Sequence, residues 1–102
     1  GSEMCIRDST KWFDCDKINC ELSVRTRRSG DYMAVSQSGG HKKLTRCMID
    51  DKIPGELRGK LPLVVDGNEV LWIVGGRINE RYKITSETGR VLEITYQGGN
   101  VQ

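Results

Sequence analysis

At 102 residues, 36% hydrophobic, with 16 Lys and Arg against 14 Asp and Glu, the chain is expected to form one domain around one modest core. That size excludes a molecule enclosing both a large catalytic cleft and a nucleotide site. No apolar run approaches the roughly 18 residues of a membrane span, and no basic start leads into a signal-peptide core, so a soluble, cytoplasmic module is expected.

The leader GSEMCIRDS reads as a cloning scar followed by a translated sequencing adapter, and residues 1–9 are set outside the fold as an artefactual or disordered stretch. From Cys20 to Arg27 the residues alternate, with Cys20, Leu22, Val24 and Thr26 on a buried face and Glu21, Ser23, Arg25 and Arg27 towards solvent, the pattern of a half-buried strand. Ser29-Gly30-Asp31 is a turn signal, and Tyr32 to Val35 offers a second short strand. After the polar loop from Ser36 to Gly40, residues His41 to Asp50 carry Leu44, Cys47 and Met48 at helical spacing. In that helix Lys42, Lys43 and Arg46 would share the face opposite the apolar stripe. Basic residues in the first half and Asp50-Asp51 at the end run against the helix dipole, a broken local rule of the kind that function imposes. Ile53-Pro54 stops the helix, Gly55 to Lys60 makes a short second one, and LPLVVDGNEVLWIVGG reads as two β runs joined by the tight hairpin turn Asp66-Gly67-Asn68. Arg90 to Tyr96 gives a last alternating strand, and residues 98–102 are expected to be a frayed tail. The resulting fold class is α+β: a small single domain at 10–97, with a mixed or antiparallel sheet, a β-hairpin, one main helix and one short helix.

Charge is unevenly distributed along this order. Residues 1–24 carry three basic and five acidic side chains, residues 25–60 nine and four, and residues 61–102 four and five. A central surplus between near-neutral flanks is the electrostatic footprint of a phosphate-binding face, with a merely solvated face as the bland alternative. Ser38-Gly39-Gly40 lacks the spacing of a phosphate loop, and Lys42 and Lys43 stand where the Ser-Gly-Gly-x-Asp-Ser loop of ATP pyrophosphatases needs Asp and Ser, so no nucleotide site is assigned there. Cys5, Cys15, Cys20 and Cys47 fit neither paired zinc knuckles nor a disulfide framework, and are read as reduced, partly buried thiols. No metal site and no catalytic residue is assigned. Trp72, inside an apolar run, is read as core; Tyr32 and Tyr82 are left open.

The segments RTRRSGDYM, KKLTRCMIDDKIPGELRGKLPLVVDGNEVLWIVGGRINERYKIT and RVLEITYQ together resemble the C-terminal domain of bacterial tRNA(Ile)-lysidine synthetase, with similarity from about Lys11 to Gln97. Ser29 departs from the family, which often has Pro there, and His41 stands at a position with no known family role. The resemblance implies a fold similar to a domain of the phenylalanyl-tRNA synthetase β chain. It also implies a parent enzyme that uses ATP and magnesium, in an N-terminal pyrophosphatase domain absent here, to join lysine to the wobble cytidine of a minor isoleucine tRNA. The C-terminal domain would grip the tRNA acceptor stem. On the family's basic motifs, Arg25, Arg27, Arg28, Lys42, Lys43, Arg46, Lys52 and Arg58 are the residues expected to face RNA.

Such a domain would need no cofactor of its own. Its partners would be tRNA, the parent's N-terminal catalytic domain and no membrane. The competing reading is a structural module for interdomain packing or homodimer formation, which separates from RNA binding by its weaker salt dependence. A free-standing enzyme using Cys47 and His41 is disfavoured, because six residues on a helix set the pair almost two turns apart.

Overall fold

The computed structural model describes residues 4–19, 21–36 and 38–101. Nine strands and one α-helix follow one another as β1 (Met4–Ile6), β2 (Ser9–Asp14), β3 (Leu22–Arg25), β4 (Tyr32–Ala34), β5 (His41–Lys43), α1 (Leu44–Asp50), β6 (Leu63–Asp66), β7 (Glu69–Ile73), β8 (Val91–Tyr96) and β9 (Gly99–Val101). Single 3-10 turns at Cys15–Lys17, Gly55–Leu57 and Glu80–Tyr82 complete the elements among the described residues. The α+β class and the mixed sheet are as the sequence pattern requires.

The hairpin β6–β7 sits in the middle of a five-stranded sheet ordered β3-β6-β7-β4-β5. Gly67 takes φ +67° at the first of the two turn residues, the left-handed setting a type II′ hairpin demands and glycine adopts without strain. Strand β3 runs antiparallel along β6, β4 parallel to β7 through Tyr32 and Glu69, and β5 antiparallel to β4. Flanked on both edges, the hairpin buries every one of its strand residues, which explains its continuous apolar run. Leu44, Cys47 and Met48 of α1 join Leu63, Leu71, Trp72 and Ile73 in one core.

The helix begins later than periodicity alone suggests. Residues His41 to Lys43 pair with β4 as Ala34↔His41, Met33↔Lys42 and Tyr32↔Lys43, so they are strand and not the first turn of a helix. Three residues are too few for a 3.6-residue period to be told from a strand. The deciding contacts are between strands: Val35 N–H donates to Gly40 O at 2.8 Å to close the β4–β5 turn, and Leu44 N–H donates to Asp31 O at 2.9 Å. The turn closes over Gly39 at φ +106°. In β3, Leu22 packs on the core as expected, but Val24 is 64% exposed and Arg25 turns inward. The core ends before Val24 on this edge strand, so alternation fixes the side of each residue and not its burial. Cys20, placed on the same face, lies outside the described residues.

The chain ends correct the expectation of an idle leader and a frayed tail. Strand β1 pairs antiparallel with β9 as Met4↔Val101, Cys5↔Asn100 and Ile6↔Gly99, and Ile6 is buried in the core cluster. The same ribbon continues as β2–β8, in register from Ser9↔Tyr96 to Asp14↔Val91. Between the two stretches, Gly98 N–H donates to Asp8 Oδ1 at 2.6 Å. Phe13 projects from the ribbon onto Trp72 with ring centroids 6.4 Å apart, joining ribbon to sheet. Polar residues such as Ser9, Thr10 and Lys11 hide this pairing in the sequence, because only a partner some eighty residues away reveals which face of the ribbon packs.

Candidate nucleic-acid interface

Strand β3 delivers Arg25 to the edge of the sheet, and the following loop folds back over it. Arg25 Nη1 and Nη2 donate to the two oxygens of Asp31 at 2.8 Å each, a bidentate pair with side chains 13% and 1% exposed. The same guanidinium reaches Thr26 O at 2.9 Å and Gly67 O at 3.2 Å, and Arg28 N–H donates to Asp31 Oδ2 at 2.7 Å. Burial by itself would raise the Asp31 carboxyl, but the hydrogen bonds from Arg25 and Arg28 N–H, together with the nearby positive charges, outweigh it and hold its pKa below the usual carboxylate value. Arg25, expected to face RNA, is therefore committed to shaping the loop.

That loop sets Arg27 and Arg28 beside Lys43, and the three line one concavity with Ser29, Asp31 and Thr45. None of the three cations forms an ion pair among the described residues. The remaining candidates are placed differently. Lys42 Nζ lies 3.2 Å from Asp50 Oδ2 and Arg46 Nε 3.3 Å from Asp50 Oδ1, so both converge on one carboxylate, whose pKa the Lys42 hydrogen bond and these charges lower. Lys42 and Lys43 thus do not share a helix face with Arg46. They alternate on β5, with Lys42 towards the end of α1 and Lys43 towards the Arg27–Arg28 loop. Arg58 Nε donates to Ile53 O at 2.9 Å and is half-buried, while Lys52 is exposed at φ +60° in the turn after α1.

These pairings also account for the unfavourable order of charge along α1. Asp50 at its end is matched by Lys42 and Arg46, and Asp51 by a bidentate contact from Arg77, whose Nε lies 2.7 Å from Asp51 Oδ2. Neutralising partners from β5 and from beyond β7 remove the conflict with the dipole, so that feature carries no signal of function. Sequence reading missed these partners because Arg77 lies 26 residues from Asp51.

A second polar cluster is structural. Tyr82 Oη donates to Asp66 Oδ2 at 2.9 Å and lies 3.1 Å from Glu69 Oε1, which Arg81 Nη1 reaches at 2.6 Å. Asn79 Nδ2 donates to Glu69 Oε2 at 3.1 Å and to Val70 O at 2.8 Å. Burial, the Asp66 hydrogen bond and the two carboxylate charges push the Tyr82 phenol well above its ordinary pKa, so it stays a donor at any physiological pH. Tyr82 is core, as is Trp72. Tyr32 is only half-buried and meets exposed His41 edge-on, with ring centroids 5.2 Å apart.

Cys47 is fully buried under α1, and burial raises its thiol pKa, the wrong direction for a nucleophile. His41 lies on β5 and not on a helix with it. Among the described residues no three His, Cys, Asp or Glu side chains gather where a metal could be held, and no helix is long and apolar enough to cross a membrane.

Residues 22–94 match the family described as the TilS substrate C-terminal domain. A tRNA(Ile)-lysidine synthase of Caldanaerobacter subterraneus is 44% identical over 86 residues, which is 84% of this chain and 18% of that protein. One of Clostridium tetani is 43% identical over 88 residues, 86% of this chain and 19% of that protein. Among solved structures, a crystal structure of a TilS C-terminal domain superposes with a TM-score of 0.63 at 33% identity, covering 84% of this chain and 69% of the other. The chain therefore spans about a fifth of the length of these two synthases.

Proposed function

The chain belongs to the family of TilS substrate C-terminal domains, and from that membership we propose that it grips the acceptor stem of a tRNA on behalf of a lysidine-forming enzyme. The observation that carries this reading is the cluster of Arg27, Arg28 and Lys43, three cations without ion-pair partners among the described residues, held on one face by the buried Arg25–Asp31 pair. Phosphates of an A-form stem are the matching anions, since side chains cannot read its deep, narrow major groove and a small basic module contacts backbone and 2′-hydroxyls. Lys42, Arg46, Lys52 and Arg58 lie outside this cluster and would add only long-range attraction, and Arg25 acts through the loop it positions. In this reading ATP, magnesium and lysine transfer belong to the rest of a parent enzyme.

The test is tRNA binding by the chain across a salt series. Replacing Arg27, Arg28 and Lys43 together by Ala should lower affinity and reduce the log–log salt slope by about 2, at roughly 0.7 to 0.9 per lost phosphate contact. A triple variant that binds like the parent would overturn the proposal. An interdomain packing role has its own support in Trp12 and Val91, 48% and 53% exposed on the outer face of β2–β8. Association through that face would persist at salt concentrations that abolish phosphate contacts.

A further inference from the structure

We propose that Tyr32 and His41 form a seat for an unpaired nucleobase, immediately beside the phosphate-binding cluster; this inference rests on the RNA-binding reading above and extends it from backbone to base. Tyr32 lies opposite Lys43 in the β4–β5 pair, and His41 is two residues along the same strand, so all three side chains stand on one face of the sheet. Lys43 lines one concavity with Arg27 and Arg28, and its neighbours on this face, Tyr32 and His41, line a second with Ser36, Ser38, Glu69 and Arg81.

The two rings meet edge-on, at 74° and 5.2 Å between centroids, which fixes the imidazole against the phenol. Strand β5 is the last in its sheet and His41 is exposed, so one ring is presented to solvent on a supported element. A phosphate would need only the cations. Rings beside cations, with the Ser36 and Ser38 hydroxyls 3.0 Å from one another close by, suit a ligand that has a π-face, polar edges and a charged backbone. Bases inside a duplex are stacked on each other and cannot reach such a platform, so the ligand class is a single-stranded nucleotide adjoining a stem.

The experiment compares two probes on the full chain: a blunt hairpin RNA, and the same hairpin with a short single-stranded 3′ extension. The extension should tighten binding about fivefold or more, the lower range of what one base–aromatic stack contributes. His41→Ala should remove that gain while leaving the blunt hairpin unaffected, and His41→Tyr should restore it. Equal binding of both probes by the parent, or a gain that survives His41→Ala, would overturn the inference and leave backbone gripping intact. Failure of either hairpin to bind at all would overturn the RNA reading and this inference with it.

Discussion

The hairpin β6–β7 and the ribbon β2–β8 are both pairs of antiparallel strands, yet one buries both of its faces and the other only one. Every strand residue of the hairpin is buried, with β3 beyond one edge and β4 beyond the other. In the ribbon, Phe13 faces the core with Leu92 and Ile94 half-buried across from it, while Trp12, Val91 and Glu93 look outward. No third strand joins the ribbon among the described residues. A two-stranded unit is marginal alone, so its order depends on what it lays against the sheet, principally Phe13 on Trp72 and Ile6 in the core. Stability should therefore fall from the centre of the sheet outwards to the chain ends.

The largest effect should come from the hairpin. Trp72→Ala removes a side chain with no exposed surface and should destabilise the domain by about 3 to 5 kcal/mol, read from urea unfolding. Trp72→Phe is the sharper comparison. The indole Nε1–H has no hydrogen-bond partner among the described residues, so Phe discards an unpartnered buried donor along with part of the ring, and the loss should be well below that of Ala. A Phe variant as unstable as the Ala variant would mean that the indole makes a contact that a smaller ring cannot replace, and that its Nε1–H is not an idle donor.

The gradient also explains which parts of the fold were legible beforehand. The hairpin was, because an Asp-Gly turn between two apolar runs encodes both register and turn locally. The apolar stripe Leu44, Cys47, Met48 was legible for the same reason: its period is contained within five residues. What lay hidden depends on distant partners. The strand character of His41 to Lys43 needs β4, the burial of Ile6 needs the far end of the chain, and Arg25 differs from Arg27 and Arg28 only through Asp31. Charge counting pointed to the central third of the chain, where the Arg27, Arg28 and Lys43 concavity lies, but could not separate a cation that holds a carboxylate from one left facing solvent. The Tyr32–His41 face escaped notice because its two rings meet only across strands.

At the sheet's edge the expected effect is intermediate and pH-dependent. Asp31 has its pKa lowered on folding, so its contribution is complete above the unfolded carboxylate value near 4 and disappears as pH falls through the lower folded value. Asp31→Asn should destabilise the chain by about 2 to 3 kcal/mol at neutral pH, because it leaves Arg25 without its counter-charge. The gap between variant and parent should narrow on acidification below about pH 4. Unfolding midpoints measured across that range check both the size and the sign. A gap independent of pH would mean that packing of the loop, and not the ion pair, holds Arg27 and Arg28 in place.

The smallest of the three effects should come from the terminal ribbon, and it bears most directly on the contrast with the hairpin. Ile6→Ala deletes a buried side chain, but one held by three-residue strands at the chain ends, where the structure can collapse around the change. The expected loss is about 1 to 2 kcal/mol, below the roughly 2 to 5 kcal/mol of an Ile→Ala change in a rigid core. For a domain of this size that corresponds to a drop in Tm of roughly 4 to 16 °C. Replacing Trp12, on the outer face of the same ribbon, by Ser should shift Tm far less, since its main contact is the solvent-facing hydrogen bond to Glu93 at 3.0 Å. An unchanged Tm in Ile6→Ala would show that the ribbon beyond Ser9 adds nothing and that the leader is as idle as its composition suggests. A loss equal to that of Trp72→Ala would erase the gradient and make the chain ends as much a part of the core as the hairpin.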